Sequence, residues 1–132
     1  MRILKFTPII LLVALTAFAC KKESTDPAEL IQGKWIITSS EILGVEVPGD
    51  GSYLTFDACA ASCTGTDYRA SDQTTGAITY TLNEDATLIT IVDNSADGGS
   101  YNGTWDVLEL NENNFRITVS TLLGNLKVEM SQ

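Results

Sequence analysis

Any chemistry in this chain has to come from cysteines, carboxylates and hydroxyls, because its 132 residues include no histidine. That absence removes Ser-His and Cys-His nucleophilic catalysis and argues against a zinc site. Cys59-Ala60-Ala61-Ser62-Cys63 places three residues between two thiols. A thioredoxin-type redox pair has two and sits in a βαβ unit, so a structural disulfide confined to one loop is the expectation. Asp93-Asn94-Ser95-Ala96-Asp97-Gly98-Gly99 has the composition of half a calcium loop, with oxygen-bearing residues at alternate positions before glycines. Thr104 stands where such a loop needs a bidentate glutamate, and a hairpin turn accounts for the same letters. Glu84 with Asp85, and Glu109 with Glu112, could pair for acid-base work, but they fall at strand ends or turns where solvation keeps carboxylates ordinary. The chain therefore reads as a non-enzyme with no catalytic residue, metal ligand or cofactor.

The third cysteine has a different setting. Arg2 and Lys5 precede an uncharged apolar run from Ile9 to Cys20, and Lys21-Lys22 follow it. The run is too short to span a bilayer, which takes about 20 apolar residues. With small residues at Ala17 and Ala19 it fits a cleaved signal peptide. Ala17-Phe18-Ala19-Cys20 also resembles the lipobox of bacterial lipoproteins. That resemblance implies removal of residues 1–19, palmitate-type acyl chains on Cys20, and Cys20 as the first residue of a mature lipoprotein. The expected partner is thus a membrane of the bacterial cell envelope. Lys21 stands where an aspartate marks inner-membrane retention in some bacteria, which points to the outer membrane.

Residues 20–27 are polar and end in Pro27, the composition of a tether. At ~3.3 Å per residue it reaches at most about 25 Å. Beyond it, residues 28–132 make one domain. After cleavage six Lys/Arg face 17 Asp/Glu, a net charge of −11 that repels phosphate backbones and excludes nucleic acid as a partner.

The elements that must position these residues are strands. Pro27 to Gln32 suits a single helical turn capped by Asp26 and ended by Gly33. Lys34–Ser40 and Ser52–Phe56 are β-branched and aromatic, and a short run, Ile42–Val47, stops at Pro48-Gly49-Asp50-Gly51. Asp57–Asp67 is polar and small, with a weak strand after it at Tyr68–Ala70. Ala77–Leu82 alternates cleanly, with Ile78, Tyr80 and Leu82 on one face. Ala86–Val92, Tyr101–Leu110, Phe115–Thr121 and Leu126–Met130 follow, the last two placing Phe115, Ile117 and Val128 inward and Arg116 and Lys127 outward. Short strands joined by short turns, with no helical run for a crossover, predict an all-β fold: a small antiparallel up-and-down β-barrel of about eight strands.

Leu30-Ile31-Gln32-Gly33-Lys34-Trp35, a helical turn followed by Gly-x-Trp opening the first strand, is similar to the start of a lipocalin-like domain. Gly103-Thr104-Trp105-Asp106-Val107 and Leu110 to Ile117 support the resemblance. It implies a barrel over about residues 28–132, with Gly33 and Trp35 packing one end and a late-strand cation, Arg116 or Lys127, over Trp35. It also implies a small hydrophobic ligand held without chemistry by a monomer, in a pocket built from Tyr80, Trp105, Phe115, Ile117 and Val128. The alternative is a solidly packed accessory protein of an envelope complex.

Overall fold

A computed structural model describes residues 26–59, 63–95 and 99–132. The expected signal segment, Cys20 and most of the expected tether lie outside them. A single helical turn, α1 (Pro27–Leu30), precedes nine strands: β1 (Gly33–Ile42), β2 (Val45–Pro48), β3 (Tyr53–Phe56), β4 (Thr64–Arg69), β5 (Thr74–Leu82), β6 (Leu88–Asp93), β7 (Gly103–Leu110), β8 (Asn114–Thr121) and β9 (Gly124–Ser131). Every pairing is antiparallel between neighbours, and β1 pairs with β9, so the sheet closes into a barrel. Closure leaves no long edge open to other chains.

Nine strands make eight staves. β2 and β3 occupy successive stretches of the same edge of β1: Ile42 to Ser39 face Val45 to Pro48, and Ile36 to Gly33 face Tyr53 to Phe56. Between them Gly49–Ser52 bulges away, held where the Gly49 amide donates to Thr38 and the Ile37 amide donates to Ser52. On the other edge β1 carries its own bulge, between Ile37 and Ser39. An inserted residue reverses which face the following side chains take, so Ser40 and Ile42 turn inward where Ser39 and Glu41 would otherwise have done so. The structure thus extends the first strand through Ile42. It also starts β4 at Thr64 and β5 at Thr74, ahead of the weak strand and the Ala77 start expected from sequence.

One end of the barrel is plugged. The Asp26 carboxylate accepts the Ala28 amide at 3.0 Å and Pro27 fills the first helical position, fixing a turn that is too short to stand alone. The turn drops Ile31 onto Trp35, and both are fully buried. The Trp35 indole N–H donates to the Ile31 carbonyl at 2.7 Å, and its ring meets Phe115 edge-on with centroids 5.5 Å apart. Gly33 links turn to strand at φ +114°, a left-handed conformation that glycine adopts without strain. Gln132 donates to the Gln32 carbonyl at 2.8 Å and ties the end of β9 to this turn. A disulfide joins Cys59 to Cys63 in the β3–β4 loop at the same end, with Cα atoms 4.4 Å apart. Among the described residues the closed sheet and its core are complete within 26–132, and a segment with its own core is expected to fold by itself.

Candidate functional site

The five expected pocket residues converge. Tyr80, Trp105, Phe115, Ile117 and Val128 all point inward, are buried, and share one apolar core with Trp35, Phe56, Ile89 and Ile91. The Phe56 ring lies 4.9 Å from Tyr80 and 6.0 Å from Phe115, edge-on to each. The Tyr80 hydroxyl donates to the Asp57 carbonyl at 2.7 Å, and the Trp105 indole N–H donates to Tyr101 at 2.9 Å. Burial, then the Asp57 charge, push the Tyr80 hydroxyl pKa up, so it remains a donor. These side chains are packed on one another. Neither of two cavities found among the described residues is lined by any of the five.

The larger cavity, about 310 Å3, lies at the end opposite Trp35, which is the barrel's mouth. Ile37, Ile42, Val47 and Pro48 give it apolar walls, while Asp50, Ser52, Arg69 and Tyr101 supply polar ones. The β1 bulge and the Gly49–Ser52 excursion both lie here, and together they splay the first stave from its neighbour. A second cavity, about 160 Å3, separates the β1–β2 and β8–β9 hairpin tips and is lined largely by Ile42, Leu43, Leu123 and Leu126.

Two carboxyl groups sit under the mouth. β4 turns Gly65 and Asp67 inward, and Asp67 is 1% exposed. Neither of its side-chain oxygens receives a hydrogen bond, and Arg69 Nε stands 3.7 Å from Oδ2, beyond hydrogen-bond length. Asp93, at the end of β6, is 5% exposed. Its Oδ1 accepts the Ser95 amide at 2.9 Å and the Ser95 hydroxyl, whereas Oδ2 has no donor. Asn102 clamps the backbone there, accepting the Asp93 amide at 2.6 Å and donating to its carbonyl at 3.2 Å. Gly99, at φ +63°, lies so close that a Cβ would stand 2.4 Å from the Asp93 side chain.

The two carboxyls titrate as a pair. Burial first, then the Asp93 charge and a hydrogen bond to Asp93, push the Asp67 pKa up to about 6. Burial pushes Asp93 up as well, but hydrogen bonds from Ser95 and from the Asp67 carboxyl outweigh it and hold Asp93 below the usual carboxylate value. Protonated Asp67 donates to Asp93. With both ionised, three buried oxygens are left without a donor. Tyr101 closes the arrangement: burial, then the charges of Asp67, Asp50 and Asp93, raise its hydroxyl pKa against the opposing pull of Arg69.

The other sequence candidates separate from this site. Glu84, Asp85 and Glu112 are exposed in turns. Glu109 accepts Arg116 at 2.7 Å and Asn111 at 2.8 Å on the outer surface. The Asp93–Gly99 segment is described only at its flanks, where Ser95 occupies one Asp93 oxygen in an Asx turn. Among the described residues no group of three or more cysteines and carboxylates could hold a metal. Asp67, Arg69 and Tyr101 were not singled out from sequence. The period-2 spacing of Gly65, Asp67 and Arg69 was the available signal, masked because the inward positions carry no apolar side chain.

An antiparallel barrel plugged at one end and open at the other onto a cavity with apolar walls and a few polar groups is the architecture of a small-molecule-binding barrel. The family model of the lipocalin-like domain matches residues 31–117, and the chain belongs to that family. Searches of curated proteins and of solved structures gave no match. One implied feature does not carry over: Arg116 pairs with Glu109 and Glu129, and Lys127 with Glu41 at 3.0 Å, so both cations are engaged on the outer surface and neither covers Trp35. Phe115 packs against that ring instead.

Proposed function

We propose that the protein is a non-catalytic binding module of a bacterial cell envelope, anchored in the outer membrane through lipid on Cys20, that holds a small ligand with an apolar body. The observation that carries this reading is the mouth cavity. At about 310 Å3 it is roughly twice the ~150 Å3 that accommodates benzene in an engineered cavity, and it falls in the size range of ligand sites. The site differs from the pocket that the family resemblance implies: Tyr80, Trp105, Phe115, Ile117 and Val128 support it from below as packed core. That dense core also favours a second reading, a solid accessory protein of an envelope complex.

Titrating residues 26–132 with N-phenyl-1-naphthylamine, a neutral two-ring fluorophore, decides between the two. The binding module gives saturable binding tighter than about 10 μM, roughly 7 kcal/mol. Val47→Arg, on the exposed wall of the mouth, abolishes it while leaving the fold intact. Absence of saturation hands the case to the accessory reading. The anchor has its own test. Cys20→Ser should move the protein out of the membrane fraction, and retention there defeats the lipoprotein assignment.

A further inference from the structure

We propose that the ligand of the mouth carries a protonated amine, which docks on the Asp67 and Asp93 carboxyls while its apolar body fills the cavity between Ile37, Ile42 and Val47. This rests on the mouth reading and specifies its chemistry.

Three observations converge on it. The first is the set of unsatisfied acceptors: Asp67 Oδ1, Asp67 Oδ2 and Asp93 Oδ2 are buried without a donor. Buried polar atoms in folded proteins almost always have partners, and an ammonium group brings three donors and no acceptor, which matches three orphan oxygens. The second is the placement of the pair one layer below an open cavity, behind its walls rather than among the residues that line it. Arg69 and Tyr101 line that cavity, and Asp67 lies 3.7 Å from Arg69 and within the electrostatic reach of Tyr101. The third is the local charge: Asp50, Asp67 and Asp93 face one guanidinium, in a chain of net charge −9. Such a mouth repels a carboxylate headgroup, so a fatty acid is the wrong occupant, and the field draws cations toward it.

When no amine is bound, the proton on Asp67 does part of the same work by donating to Asp93. Asp93 on β6 and Arg69 on its own strand act on Asp67 directly, and Tyr101, ahead of β7, lies within reach of Asp67, Asp93, Arg69 and Asp50 of the β2–β3 connection. An ammonium takes the place of that proton, which leaves to solvent, so one proton is released per amine bound wherever Asp67 was protonated. Affinity for an amine therefore rises with pH up to the Asp67 pKa and levels off above it.

The test uses residues 26–132 and three ligands with one body: 1-naphthylmethylamine, 1-naphthylmethanol and 1-naphthylacetate. Calorimetry near neutral pH should rank amine over alcohol by about tenfold or more, with the acid weakest. Amine affinity should fall on acidification through about pH 6 while alcohol affinity stays level. Asp67→Asn/Asp93→Asn, checked for a cooperative thermal transition, should equalise amine and alcohol. Equal affinities in the unmodified protein, a flat pH profile for the amine, or an amine preference that survives the double substitution overturns the inference while leaving the mouth reading in place. Binding of none of the three defeats both.

Discussion

At the plugged end, the buried polar atoms around Trp35 and Tyr80 have partners: the indole N–H has the Ile31 carbonyl and the Tyr80 hydroxyl has the Asp57 carbonyl. At the mouth, Asp67 is as deeply buried as Trp35, yet no donor reaches it. Burying a group with its partner is close to neutral, whereas burying a carboxylate without one costs several kcal/mol unless it takes up a proton. The plugged end thus holds the fold together, and the mouth is where the fold tolerates a destabilising arrangement, which is the pattern expected of a ligand site in a stable scaffold.

The strongest challenge to this contrast is removal of the plug. Trp35→Ala should destabilise residues 26–132 by about 3 to 5 kcal/mol in chemical denaturation, as large-to-small changes in packed cores do. A loss under about 1 kcal/mol would mean that the plugged end is not where stability resides. The mouth should respond in the opposite direction. The folded-state pKa of Asp67 lies above the ordinary 3.8, so the folded form holds a proton that the unfolded chain has lost, and stability falls as pH rises from about 3.8 to about 6. Above that window the full penalty of about 2 to 3 kcal/mol is present. Asp67→Asn should therefore stabilise the protein by about that much near pH 8, and the gain should vanish near pH 3. A neutral or destabilising result at the higher pH breaks the contrast. The smallest effect belongs to the plugged-end loop. Reduction of Cys59–Cys63 should cost no more than about 2 kcal/mol, because so short a ring constrains the unfolded chain weakly. Two thiols should become available to alkylation only after reduction, and probe binding at the mouth should be unchanged.

The staves with apolar alternation were legible in the sequence. Ile78 and Tyr80, Phe115 and Ile117, and Val128 and Met130 fall on the inward faces that a period of two assigns them. β4 was not legible, because its inward residues are Gly65 and Asp67 and its outward ones are threonine and tyrosine, so hydrophobicity carries no phase there. The first strand was cut short for a related reason: a bulge after Ile37 shifts the alternation, and the pattern on either side no longer matches. Since the mouth is built from these two places, its residues were hidden from a reading based on pattern. The expected pocket was drawn from the best-patterned strands, and good patterning marks residues that pack. The disulfide followed from the spacing of the two cysteines and the expectation of an exported chain, and Trp35 from its place after the helical turn.

The seam between β1 and β9 also governs how fast the chain can fold. It joins residues as distant as Ile36 and Ser131, 95 positions apart (131 − 36), whereas every other pairing joins strands that are adjacent or next but one in sequence. Local hairpins form in about 1 to 10 μs, but a contact of that separation carries the loop-closure entropy of nearly the whole domain. The open sheet must therefore assemble before its two outer staves meet, and the Trp35 plug, which draws on β1 and β8 together, is completed only at that stage. Until then the outer staves expose unpaired backbone, so the period of greatest aggregation hazard is the interval before the last strand arrives.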